Sequence, residues 1–82
     1  MEFPVYRKYS NGQSLFKIES ETLFIELKKL GNRWEQYEFQ ASIFPDRQLI
    51  SDMIEKRHGH WIDSSEEEFR DLQKQSPNSL PT

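Results

Sequence analysis

The sequence predicts an α+β domain: a four-stranded antiparallel meander, one helix packed on one face, a short extended segment and a C-terminal helix. Three observations predict it. Two runs within residues 22–44 alternate apolar with polar side chains on either side of Gly31-Asn32-Arg33. A shorter pair of runs flanks Asn11-Gly12, a favoured hairpin dipeptide. Beyond Pro45 the apolar spacing changes to the helical stripe Leu49, Ile50, Met53 and Ile54.

Taken in order, the first hairpin joins 5–9 to 14–19. A two-residue type I′ turn at Asn11-Gly12 sets Val5 opposite Ile18, Arg7 opposite Phe16 and Tyr9 opposite Ser14. On that face Arg7 is expected to lay its stem over the Phe16 ring and send its head to water. Pro4 marks the start of the strand, where a missing N–H is tolerated. Ser20-Glu21 then leads into the central hairpin.

There, Leu23, Ile25 and Leu27 share one face of the third strand, and Tyr37, Phe39, Ala41 and Ile43 share one face of the fourth. A two-residue turn at Gly31-Asn32 would set Leu27 opposite Gln36 and Ile25 opposite Glu38, which puts polar residues on a face that should be buried. A three-residue loop instead sets Leu27 opposite Tyr37, Ile25 opposite Phe39, Leu23 opposite Ala41 and Lys29 opposite Glu35. The latter register is expected, with Gly31 or Asn32 supplying the positive φ.

Pro45-Asp46 ends the fourth strand, and Asp46 is the expected N-cap of a helix over 46–57 that packs on the Ile25 and Phe39 face. Lys56, Arg57 and His58 place cations on its last turn, with Gly59 as the left-handed C′ residue. His60-Trp61-Ile62 reads as a short extended segment. Ser65 with Glu68 matches a capping box, and a second helix should run from 66 to about 75, docked by Phe69 and Leu72. The domain is thus expected to occupy residues 1–75, with a disordered tail at 76–82 that carries two prolines.

Composition narrows the function classes. A chain of 82 residues buries only about 60% of the surface its unfolded form exposes, and its six Phe, three Tyr and two Trp are what can fill so thin a core. With no cysteine there is no disulfide framework, thiolate metal site or cysteine nucleophile, which fits a reducing compartment. No apolar leader or span-length apolar run is present, so a cytoplasmic protein with no membrane partner is expected. Net charge is −3, and the acidic excess lies in residues 41–82, which hold five basic and eight acidic side chains. Nucleic-acid binding is disfavoured accordingly; Arg7, Lys8 and Lys17 are the nearest approach to a basic stripe.

Candidate sites are few, and no catalytic residue or cofactor emerges. His58, His60 and Asp63 are the one cluster with metal-ligand character, and a metal-dependent enzyme built on them is the alternative function. No third histidine exists, and a helix terminus accounts for the same residues. Asp46, Asp52, Glu55 and the run Glu66-Glu67-Glu68 show no sign of the desolvation that tunes a carboxylate for acid and base work. Ser64 and Ser65 lack a glycine-rich elbow, and Gly12, Gly31 and Gly59 are too scattered to cradle a phosphate.

In the expected register Phe24, Leu30 and Trp34 point away from the face of Ile25 and Phe39. Either another element covers them or they form an apolar patch that binds a partner. They are the partner-binding candidates for a small, non-catalytic interaction module, the function favoured here. A second copy could use the same patch, with Trp34 stacked on Phe24; three side chains bury little area, so a monomer at low micromolar concentration and at most weak self-association are expected. A third class, single-stranded RNA binding by Tyr6, Tyr9 and Arg7, would need stacking next to phosphate contacts, and none is expected.

The segments Tyr6-Arg7-Lys8-Tyr9-Ser10-Asn11-Gly12, Phe16-Lys17-Ile18, Phe44-Pro45-Asp46 and Trp61-Ile62, leading to Ser65-Glu66-Glu67-Glu68-Phe69, resemble small uncharacterised proteins of Bacteroidetes bacteria of the structural-genomics type. The resemblance covers roughly residues 5–70. It implies a compact bacterial α+β domain and carries no catalytic residue across.

Overall fold

A computed structural model describes residues 2–75, and the proposed tail at 76–82 lies outside the described residues. The elements are β1 (Val5–Tyr9), β2 (Ser14–Ser20), β3 (Leu23–Leu30), β4 (Arg33–Gln40), α1 (Phe44–Glu55), a 3₁₀ turn (Arg57–Gly59), β5 (Trp61–Asp63) and α2 (Glu66–Gln73). The class is α+β, and the sheet has five strands in the order β4-β3-β2-β1-β5, every neighbouring pair antiparallel. The segment after the helix is therefore the fifth strand: it returns to the open side of β1 and pairs Tyr9 with Trp61 and Arg7 with Asp63.

Helices cover both faces, and this decides the register of the central hairpin. β3 and β4 pair Leu30 with Arg33 across the two-residue turn Gly31-Asn32, so Leu27 does face Gln36 and Ile25 does face Glu38. The expected three-residue loop does not form. With two buried faces, no strand has to be apolar on one side only. The observed register sets Phe24 opposite Phe39 and completes an aromatic ladder across four strands. Its ring centroids lie 5.1 Å apart for Tyr9 and Phe16, 5.6 Å for Phe16 and Phe24, and 4.8 Å for Phe24 and Phe39. Gln36, the polar residue that seemed misplaced, accepts a 3.0 Å hydrogen bond from Gln73 of α2. Gly31 supplies the positive φ, at 64°.

On the ladder face, Phe16, Ile18, Phe24, Ala41 and Trp61 pack with Ile50, Met53 and Ile54 of α1, with Phe39 at the margin. On the opposite face Leu15, Leu27 and Trp34 enclose Phe69 of α2, flanked by Tyr6, Ile25 and Leu72. The two anchors predicted for α2 thus hold. Ile25 and Phe39 lie on opposite faces, so α1 packs on the Phe39 side alone, and Tyr37, expected in the core, is exposed.

Helix ends differ from expectation for identifiable reasons. α1 starts at Phe44 with Ile43 as N-cap, and Pro45, whose missing N–H is harmless in the first turn, sits just inside. Asp46 falls in that first turn and accepts from the Ser42 N–H at 3.3 Å, reaching back instead of capping forward. The strand ends at Gln40, so Ile43 is exposed and not part of β4. At the other end Lys56, φ 56°, is the left-handed cap; Gly59, φ 72°, closes the 3₁₀ turn. The basic residues Lys56, Arg57 and His58 lie beyond the last turn.

Arg7 takes the place intended for them. Its guanidinium donates to the carbonyls of Met53 (Nε, 3.2 Å) and Ile54 (Nη2, 2.8 Å) at the C-terminus of α1, where the helix dipole favours a cation. It does not reach for water as the sequence suggested. In the first hairpin the paired residues are as predicted, Val5 with Ile18 and Arg7 with Phe16. The turn is not type I′, because of the two turn residues only Gly12 has positive φ. The Gly12 N–H donates to the Tyr9 carbonyl, and Asn11 Oδ1 accepts from the Gln13 N–H at 2.8 Å.

Candidate functional site

The expected partner-binding patch does not assemble. Phe24 and Leu30 sit on the α1 face and Trp34 on the α2 face, because Trp34 pairs with Lys29 while Phe24 pairs with Phe39. Phe24 is 4% exposed beneath α1 and Trp34 8% beside Phe69; Leu30 alone stays accessible, at 39%.

The His58, His60 and Asp63 cluster is likewise committed elsewhere. Asp63 Oδ1 pairs with Lys56 Nζ at 3.0 Å and with Arg7 Nη1 at 3.4 Å. His58 Nε2 stands 3.7 Å from Asp52 Oδ2, and Asp52 also accepts from Arg57 and Gln48. The His60 ring lies edge-on to Trp61. Among the described residues no three His, Asp or Glu side chains converge as metal ligands. The hydrogen bond from Lys56 holds the Asp63 carboxyl below its usual range, and those from Arg57 and Gln48 do the same for Asp52. Both are ionised near neutrality and unsuited to donate a proton.

Glu68 is the third carboxylate of this kind. Lys8 Nζ, at 2.9 Å, and Ser64 Oγ, at 2.7 Å, both donate to it and lower its pKa. The Ser65 hydroxyl caps α2 by accepting the Glu68 N–H at 3.1 Å, so half of the predicted capping box forms while the glutamate side chain turns to β1. Tyr6 and Tyr9 do not make a stacking platform. Tyr6 packs on Phe69, Tyr9 packs between Phe16 and Trp61 on the other face, and burial raises the pKa of each phenol.

One surface with binding geometry is a groove of about 520 Å³ between α1, the N-terminal segment and the β2–β3 turn. Phe3, Ile50 and Ile54 supply apolar wall, and Glu21, Thr22, Arg47, Ser51 and Glu55 supply polar rim. The β2–β3 turn is held in place by hydrogen bonds from the Ala41 N–H and the Gln40 side chain to the Thr22 carbonyl. Among the described residues, the side chains of Arg47, Glu21 and Glu55 make no ion pair or hydrogen bond. Most other charges near α1 are paired. One turn before Arg47, Phe44 is 72% exposed, and its neighbour Ile43 is 59% exposed.

None of Phe3, Glu21, Arg47 or Phe44 stands out in the sequence as a site residue. The available signal was the helical spacing of Phe44, Arg47, Ser51 and Glu55, a stripe opposite to the one that carries Met53. It could be read only once the helix start was known to be Phe44 and not Asp46.

Among the described residues no helix is long and apolar enough to cross a membrane. No family model matches the chain, and neither a curated protein nor a solved structure with significant similarity to it was found.

Proposed function

We propose that this chain is a small, non-catalytic binding module that takes a protein partner in the groove beside α1. The observation that carries this reading is the conjunction of an apolar-walled groove, three rim charges without an intramolecular partner among the described residues, and the exposed Ile43 and Phe44 at its N-terminal end. An exposed apolar group costs solvation free energy, and when it adjoins a concave surface with uncompensated charges a partner can recover both terms. A reducing, cytoplasmic setting belongs to the same reading and is supported by the cysteine-free sequence.

The test is selection of peptides on the folded protein, followed by titration of the isotopically labelled chain. Binders that shift the amide signals of Phe44, Arg47, Ser51 and Glu55, and lose affinity in Phe44→Ser, support the module. Binders that map elsewhere, or no binder at all, reject the groove as its site.

A further inference from the structure

The rim charges of the groove have a symmetry of their own. Arg47, Ser51 and Glu55 follow each other at intervals of four along α1, all within about 40° of Ser51 around the helix axis, and Arg47 and Glu55 are separated by about 12 Å. Ser51 stands midway between a free cation and a free anion. A two-fold axis through that point, with a second α1 laid antiparallel, sets Arg47 of each chain against Glu55 of the other.

We propose that the partner in the groove is a second copy of this chain, docked helix to helix in this way. The inference rests on the groove being a binding surface and names its occupant. A two-fold contact needs one self-complementary surface, and this stripe provides it: opposite charges at either end, and a small side chain at the crossing where two helices must approach to about 8–10 Å. A parallel arrangement would instead place like charges together. Arg57, which donates to Ser51 Oγ at 3.1 Å, brings no uncompensated charge to the axis, because Asp52 pairs with the same guanidinium at 3.0 Å.

Phe44 lies on the same stripe, within about 20° of Ser51. The axis carries it past the C-terminal end of the other α1, toward that chain's 3₁₀ turn, and so removes from water the most exposed large apolar side chain among the described residues. α1 has 12 residues and is about 18 Å long, so the buried area lies at the small end of specific interfaces. The dissociation constant should fall at about 0.1–1 mM.

Sedimentation equilibrium on the full chain, from about micromolar to millimolar concentration, tests this. Wild type should dimerise at the upper end and dissociate in about 1 M salt, where charges are screened beyond about 3 Å. Arg47→Glu places four anions at the interface and Glu55→Arg four cations; each should weaken association at least about tenfold. Both positions are exposed, so the fold should be retained, with circular dichroism unchanged. An equimolar mixture of the two variants should associate again, since each supplies what the other lacks, and the doubly exchanged chain should recover self-association. A wild type that is monomeric at millimolar concentration, or a mixture no better than either variant, overturns the proposal. If selected peptides still bind the groove of that monomer, the binding module stands and only its occupant was wrong; if neither a second copy nor a peptide shifts Phe44, Arg47 and Ser51, both fail.

Discussion

Replacing Arg7 with methionine keeps a stem of similar length opposite Phe16 and removes the guanidinium that ends α1. Three backbone carbonyls lose a donor, those of Tyr6, Met53 and Ile54. Met53 retains the Lys56 N–H at 3.2 Å, whereas Arg7 is the side chain that donates to the Ile54 carbonyl among the described residues. A hydrogen bond from a charged donor contributes about 1.5–3 kcal/mol, and a cation at a helix C-terminus about 0.3–1 kcal/mol, more when partly buried. The Arg7 side chain is 15% exposed, so water replaces few of these contacts. A loss of about 2–4 kcal/mol is expected, read as a lower urea midpoint at constant m value. Arg7→Lys should recover less than half, because an ammonium keeps the charge without the planar fan of donors. Asp63→Asn should leave the urea midpoint almost unchanged, since that carboxylate is 71% exposed. Equal losses for Arg7→Met and Asp63→Asn would refute this role, for the guanidinium would then act through the ion pair and not through the helix end.

Phe69→Ala should destabilise by about 3–5 kcal/mol, being 1% exposed among Leu15, Leu27 and Trp34. In a Trp61→Phe background it should also shift Trp34 emission to the red, and an unshifted spectrum would contradict the second core. Ser65→Ala should cost about 1 kcal/mol in urea unfolding through loss of the α2 cap, while Ser64→Ala should instead raise the Glu68 pKa measured by NMR. The folded-state pKa values of Asp52, Asp63 and Glu68 are depressed. Their contribution to stability is therefore full above the unfolded carboxylate range and is lost as pH falls through the lower folded values. Urea midpoints should drop below about pH 4.5, and Glu68→Gln should flatten part of that drop. Zinc titrated by calorimetry should give no heat above dilution; micromolar binding abolished by His60→Ala would revive the metal reading.

The sequence by itself determined the kinds and order of the elements. Period-two alternation marked the strands, Gly31 marked a turn, and Ser65 with Glu68 marked the start of α2, since these signals arise from contacts within a few residues. It also determined the two anchors of α2, because Phe69 and Leu72 are the only large apolar side chains in that segment. Tertiary structure decided the rest. Whether Leu27 faces Tyr37 or Gln36 depends on whether one face of the sheet is buried or both, and that is settled by Phe69 of α2, which follows Leu27 by 42 positions in the chain. The same covering hides Trp34 and α1 hides Phe24, so the apolar patch expected of a one-sided sheet vanishes into two cores. Arg7 caps a helix that begins 37 residues downstream, a pairing that local periodicity does not encode. The groove at Arg47 and Glu55 is of the same kind: its walls come from the N-terminal segment, a β-turn and α1, and only their packing brings Phe3, Thr22 and Ile54 together.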